Sequence, residues 1–134
     1  ETQPILARLQ SDLVDICLAT LEGDLAECKA TWDTRAAIGV VMAAGGYPAG
    51  YVKVMVIRGV AIADIDSQTV FHAGTATAGD EVTTAGGRVL CVVGLGDTVA
   101  DAAQDAYAAV DKIEWQDVYF RRDIGHRAIA RERG

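Results

Sequence analysis

The sequence predicts an α+β fold built on an antiparallel sheet. Three observations point there. Short apolar runs rich in β-branched residues crowd the middle of the chain, between residues 37 and 96. They follow one another without the regular strand–helix alternation of a parallel sheet. One amphipathic helical segment then follows the last of these runs and can cover the sheet.

Residues 2–23, TQPILARLQSDLVDICLATLEG, read as one helix. Thr2 can cap it, Pro4 is tolerated in its first turn and Gly23 can end it. Leu6, Leu9, Leu13, Ile16, Cys17 and Leu21 form one apolar stripe, with Arg8, Gln10, Asp12 and Asp15 opposite. A stripe of this kind needs a partner to pack on. Residues 24–36, DLAECKATWDTRA, are polar and aperiodic and read as a connection, with Trp32 as its anchor in a core or an interface.

AIGVVMAA, from Ala37, reads as a buried strand that stops at GGYPAG, where Gly45, Gly46, Pro48 and Gly50 force a loop. YVKVMVIRGVAI alternates at first and reads as one or two strands, with Tyr51, Lys53 and Met55 on one side. TVFHAGT is a short strand ending in Gly74. EVTTAGG and RVLCVVGLG read as a hairpin turning near Ala85–Gly87. DTVADAAQDAYAAVDKI is a helix, in which Thr98 can cap and Asp101 can complete a capping box. Val99, Ala103, Ala106, Val110 and Ile113 form its buried stripe. WQDVYFRRDIG is a last extended segment before a polar tail.

The 134 residues suit one compact domain, or one domain plus a tail, and 51% apolar residues suffice for a real core. A net charge of −7 argues against a nucleic-acid partner. Arg121, Arg122, Arg127, Arg131 and Arg133 nevertheless cluster at the end of the chain, either to meet a phosphate or as a solvated tail. The three cysteines, Cys17, Cys28 and Cys91, are odd in number and lack CxxC spacing. This disfavours disulfides and zinc and suits a reducing cytoplasm. Cys17 and Cys91 sit in apolar runs and read as small core residues. No stretch reaches transmembrane length and there is no signal peptide, so no membrane role is expected. The start, ETQPIL, lacks an initiator methionine and reads as the middle of something longer.

The segment GLGDTV is a poor dinucleotide-binding turn, because Val99 stands where its third glycine belongs and no second βαβ unit follows. His72 and His126 have no cysteine or carboxylate at ligand spacing, which leaves no metal site. His72 is either a structural hydrogen-bonding residue or a polar group facing a ligand. Neither GxSxG nor a phosphate-binding GxxxxGK[ST] loop is present. What remains is a set of three glycine-bearing loops, AAGGYP, FHAGT and TAGGRV, each closing a short strand. Glycines let backbone N–H groups approach an anion, and Arg88 beside one of them supplies a bidentate cation. Together they make a phosphate-bearing small molecule a candidate ligand, beside the reading of the three loops as ordinary turns with Arg88 as surface decoration.

The segments ETQPIL, GVVMAAGGYP, VFHAGT, GGRVLCVVGLGDTVADA and FRRDIGHRAI, in this order and spacing, resemble the C-terminal third of the phosphoribosylamine–glycine ligase family. The resemblance implies an ATP-grasp ligase of de novo purine synthesis. In that family ATP activates glycine as glycyl phosphate, and the amine of 5-phosphoribosylamine attacks it, with magnesium or manganese on the ATP phosphates. The implied architecture is the last helix of an ATP-grasp domain plus a linker (residues 1–34), then a small antiparallel, half-barrel C-terminal domain (35–134) with one long covering helix. The family's metal-binding residues and ATP lid precede the ETQ motif. The resemblance therefore implies no catalytic residue and no metal ligand in this chain, with ATP and the metal held by the full-length enzyme. Alone, the chain is not expected to ligate. The implied partners are the remaining domains, phosphoribosylamine and glycine, with no nucleic acid and no membrane, in the cytoplasm.

By the same resemblance Arg88, with Gly87 beside it, grips the ribosyl phosphate. Gly74, Thr75 and His72 come second, and Gly45, Gly46 and Tyr47 third. Glu1 and Thr2 line the same cleft. Arg121 and Arg122 either join them or hold the C-terminal strand in place. The alternative is a non-catalytic binding or assembly module that contributes a phosphate-binding wall or an oligomer interface, the latter through its N-terminal stripe. In one departure, the family reads Lys-Gly-Asp where this chain has Lys53, Val54 and Met55. Losing a Gly-Asp turn to β-branched and apolar residues is expected to straighten or extend the strand.

Overall fold

The structure, a computed structural model, describes residues 1–65 and 67–134. Its centre is a three-stranded antiparallel sheet of β1 (Ala36–Ala43), β5 (Arg88–Gly96) and β2 (Gln68–His72), with β5 in the middle. The unbroken apolar run VLCVVG explains that place, since a strand covered on both faces needs apolar side chains at every position. Val89, Leu90, Val92 and Val93 are all but inaccessible. The pairing sets Val40 opposite Val92 and Val41 opposite Cys91. Ile38, Val40 and Met42 face the core, while Gly39 and Val41 face the other side.

The covering helix is α4 (Val99–Val110), which packs on β5 and β1. Thr98 accepts the Asp101 N–H and Asp101 accepts the Thr98 N–H, so the capping box forms as the sequence predicts. The Val99 N–H donates to the Glu132 carboxylate at 3.0 Å, closing the same helix end from the far end of the chain. The buried face of α4 is mostly small: Ala102, Ala103, Ala106 and Ala109, with Val110. It meets Gly94 and Gly96 so closely that a β-carbon on either would collide with the helix backbone. The Gly-Leu-Gly is thus a helix–sheet packing device.

A second sheet pairs β3 (Thr75–Ala78) with β4 (Glu81–Thr84) through a two-residue loop, with Gly79 at φ +63°. This corrects the expected hairpin: β4 pairs with β3, and β5 pairs with β1 and β2. The backbones of Gly74 and Gly86 pack against each other at the crossing, so the chain passes between sheets there without a turn joining β4 to β5.

The N-terminal segment is also corrected. It holds two helices, α1 (Thr2–Ala7) and α2 (Leu13–Glu22). The backbone between them is drawn off to the connection: Asp33 N–H donates to Arg8 O at 2.7 Å and Gln10 N–H to Thr31 O at 3.0 Å. Asp12 then caps α2 by accepting the Val14 N–H, and Gly23 ends it at φ +87°. Glu1, not Thr2, precedes the first helix, without a side-chain cap. Along α2 the stripe is mostly uncovered among the described residues: Leu13 and Leu21 stand exposed, with Val14 and Leu18 beside them, while Ile16, like Leu9 before the helix, is partly buried. Cys17 is exposed too, so of the two cysteines expected in the core only Cys91 lies there. Trp32 is 45% exposed and bridges Leu9 through the backbone.

Residues 51–62 form no extended strand. Val56 and Arg58 make isolated bridges to Thr83 and Glu114, and α3 (Val60–Ala63) follows. Val54 does not straighten the chain as expected. It sits at φ +66°, donating its N–H to Thr84 O at 2.6 Å, in a conformation that suits glycine. Finally, the expected polar tail contains α5 (His126–Glu132), entered through Gly125 at φ +82°.

Candidate functional site

The sheet face turned away from α4 carries the candidate site. α1 covers part of this face, where Pro4 stands over Gly39 beside the Cys91 sulfur. Two cavities flank the remaining surface, and Arg88 and Val41 line both. One, of about 240 Å³, lies between Gly39, Val41 and Ala43 of β1 and the segment Tyr119–Ile124, with Tyr47 at its end. The other, of about 320 Å³, is bounded by Glu1, Thr2 and Gln3 on one side and Ala73, Leu90 and Cys91 on the other. Arg88 is brought here because the pairing slips by one residue at the end of β5: Met42 faces Leu90, but Ala43 faces Arg88. The bulge turns the side chain at the strand mouth outward.

Arg88 is exposed and has neither a hydrogen bond nor an ion-pair partner among the described residues. Gly87 beside it is buried, its carbonyl accepts the Ala44 N–H at 2.8 Å, and its own N–H has no partner among the described residues. The Tyr47 ring occupies the space of a β-carbon at Gly87. Tyr51 meets the Tyr47 ring edge to face at 6.1 Å between centroids. A guanidinium with open donors, next to a free N–H and an aromatic wall, can receive an oxyanion attached to an organic body.

The structure therefore brings together Arg88, Gly87, Tyr47, Arg121, Glu1 and Thr2. It separates others. His72 donates to or accepts from Thr75 at 3.0 Å and lines a different groove, with Arg58 and Glu81. Gly74 lends its N–H to Val89 O and packs on Gly86, which accounts for both glycines without a ligand. Gly45 packs against the Asp117 backbone, and Gly46, at φ +89°, lets the loop pass the Gly50 carbonyl. Arg121, though it lines the cavity with Arg88, is held in an exposed ion pair with Asp123 at 2.7 Å. Arg122 lies 4.8 Å from the Phe120 ring centroid and reaches Asp111. Burial pushes the Cys91 thiol pKa upward, so this sulfur is a wall and not a nucleophile. Among the described residues no three His, Cys, Asp or Glu side chains converge on a metal ion, and no helix is long and apolar enough to cross a membrane.

Sequence reasoning missed the wall of Tyr119, Phe120 and Ile124. The backbone pair of Ala43 with Tyr119 brings it alongside β1, and nothing local announces so distant a pairing. It also missed the clasp on this wall: the Tyr107 hydroxyl on α4 donates to Arg121 O at 2.7 Å and accepts the Ile124 N–H at 3.1 Å.

Comparison with known proteins adds to this geometry. Residues 37–127 match the family model described as phosphoribosylglycinamide synthetase, C domain. The chain is 57% identical over 132 residues to a phosphoribosylamine–glycine ligase of Vibrio cholerae, covering 98% of this chain and 31% of that protein. It is 59% identical over 133 residues to the Allochromatium vinosum protein of the same name, again covering 31% of it. The fold matches a crystal structure of phosphoribosylamine–glycine ligase from Thermotoga maritima with a TM-score of 0.67 and 31% identity, over 82% of this chain and 26% of that one. The chain thus spans just under a third of the length of these relatives.

Proposed function

The chain belongs to the phosphoribosylglycinamide synthetase C-domain family, and from that premise we propose that it serves as the C-terminal part of a phosphoribosylamine–glycine ligase. The full enzyme joins glycine to 5-phosphoribosylamine at the expense of ATP, through a glycyl phosphate, in purine synthesis. Identity above half over nearly the whole chain supports this reading. Residues 35–134 form the C-terminal domain, and residues 1–34 are the end of the ATP-grasp domain with its linker. The start of the family match at residue 37 and the uncovered apolar face of α2 support that division. With no three His, Cys, Asp or Glu side chains converging among them, the described residues do not fit a magnesium or manganese site. A cytoplasmic place accords with three free cysteines.

The observation that carries the role of the domain is the unpartnered guanidinium of Arg88 on the wall shared by two cavities. It meets the 5-phosphate of phosphoribosylamine, with the Gly87 N–H as a second donor. Arg88 acts by binding and orienting the ligand, not by moving a proton. Kinetics of Arg88→Ala in a full-length ligase carrying this chain test it. Losing one charge-assisted contact costs roughly 1.5–3 kcal/mol, or about 10- to 150-fold in KM for phosphoribosylamine. KM for ATP stays unchanged. An unaltered KM for phosphoribosylamine overturns the assignment.

The exposed stripe of α2 favours a second reading, in which the chain is a binding or assembly module without chemistry and the stripe is an interface. Sedimentation discriminates, since a strictly monomeric chain with no tendency to associate speaks against it.

A further inference from the structure

The edge of β1 is open where it borders the cavity. Ala43 and Tyr119 exchange both backbone hydrogen bonds, at 2.8 and 2.9 Å, as one rung of an antiparallel ladder. In such a ladder the next rung lies two residues on, and it would join Val41 to Arg121. That rung is absent: among the described residues no hydrogen bond links Val41 to the segment 119–124. The segment leaves the strand edge instead, and the gap is the cavity that Arg88 and Tyr47 close.

The cause is visible in the hydrogen bonds. The Arg121 carbonyl, which the next rung would direct to the Val41 N–H, accepts the Tyr107 hydroxyl at 2.7 Å. The same hydroxyl takes the Ile124 N–H at 3.1 Å. One oxygen thus satisfies two main-chain groups of the departing segment, and it projects from α4, which packs on the sheet itself. Tyr107 is partly buried against the core. Without the hydroxyl both main-chain groups lose their partner, and unpaired polar groups seek another. The open edge of β1 is within one rung of offering it.

We propose that Tyr107 is a positioning residue whose hydroxyl holds the segment 119–124 off the edge of β1 and so keeps the cavity beside Arg88 open. Its consequence for the ligand rests on the reading of Arg88 given above. Removing the hydroxyl lets Arg121 zip onto Val41 and narrows the cavity.

The test uses Tyr107→Phe, with Tyr107→Leu as a second variant lacking the same oxygen, in a full-length ligase carrying this chain. Hydrogen exchange is read by mass spectrometry on peptides containing Val41. In the parent protein the Val41 amide exchanges fast. In either folded variant it slows about tenfold or more, as expected of a newly paired amide. In parallel, KM for phosphoribosylamine rises about 2- to 12-fold while KM for ATP and kcat hold, a split that mere loss of stability does not produce. A protected Val41 amide in the parent protein overturns the proposal without any variant. So does an unchanged Val41 rate in a folded variant or, where Arg88→Ala does raise KM, a slowed rate with unchanged KM. If Arg88→Ala leaves KM unaltered, the ligand reading fails instead, and the exchange rates still decide the role of Tyr107.

Discussion

The ring of Tyr47 fills the space in which a β-carbon at Gly87 would stand. The glycine therefore allows an aromatic wall to close on the backbone immediately before Arg88. Gly87→Ala is expected to push the ring aside, at a cost of roughly 1–3 kcal/mol for overpacking. Urea denaturation measures the loss. Tyr47→Ala in the same chain should recover part of it, because the two side chains compete for one volume. Strictly additive losses would contradict this account of Gly87.

Val54 offers the opposite case. A β-branched residue at φ +66° is strained, and its side chain is 70% exposed, so it gains little from burial. Left-handed backbone costs an L-residue roughly 1–2 kcal/mol, against roughly 0.5–1 kcal/mol of extra chain entropy for glycine. Val54→Gly is therefore expected to stabilise the chain slightly, with a higher melting temperature by calorimetry. A lowered melting temperature would show that valine is at ease there.

The acid limb of stability should report Asp33. Hydrogen bonds from the Arg35 side chain, first, and from its backbone hold the Asp33 carboxyl down from the usual 3.8 to about 2. Asp33 also accepts two Arg8 donors at its carbonyl, at 3.0 and 3.1 Å, which ties the connection to the end of α1. A carboxyl whose pKa is lower in the folded chain contributes stability above its unfolded pKa and loses it as pH falls through the folded one. The Asp33 contribution should thus be whole above about pH 4 and vanish toward about pH 2. Asp33→Asn should flatten that part of an acid denaturation profile. Identical profiles for the two proteins would contradict the pairing.

The legible parts of the fold were those written in local chemistry. The run VLCVVG marked a strand, though not its central place in the sheet, and Thr98 with Asp101 marked the start of α4, because burial and capping act within a few residues. The break after Ala7 was hidden, since the apolar spacing runs straight through it and only the distant Thr31 and Asp33 pull the backbone away. The same holds for β4, whose true partner β3 lies behind a Gly79 turn that alternating Thr and Ala residues announce only weakly. In the site, Gly86-Gly87-Arg88 stood out as a cation beside thinned backbone. Its other wall did not, because Tyr119 pairs with Ala43 from far along the chain, beyond the reach of any local sequence signal. Glycines proved ambiguous by nature: Gly74 and Gly86 serve backbone packing, and Gly87 alone retains a free N–H among the described residues of these two loops.

The central claim is that Arg88 receives the phosphate of the ribosyl substrate. A crystal structure of a full-length ligase carrying this chain, bound to ribose 5-phosphate, tests it most directly. The account predicts a phosphate oxygen within about 2.7–2.9 Å of the Arg88 guanidinium, with a second oxygen facing the Gly87 N–H. A phosphate fully held by other residues, with Arg88 left in solvent, would contradict it.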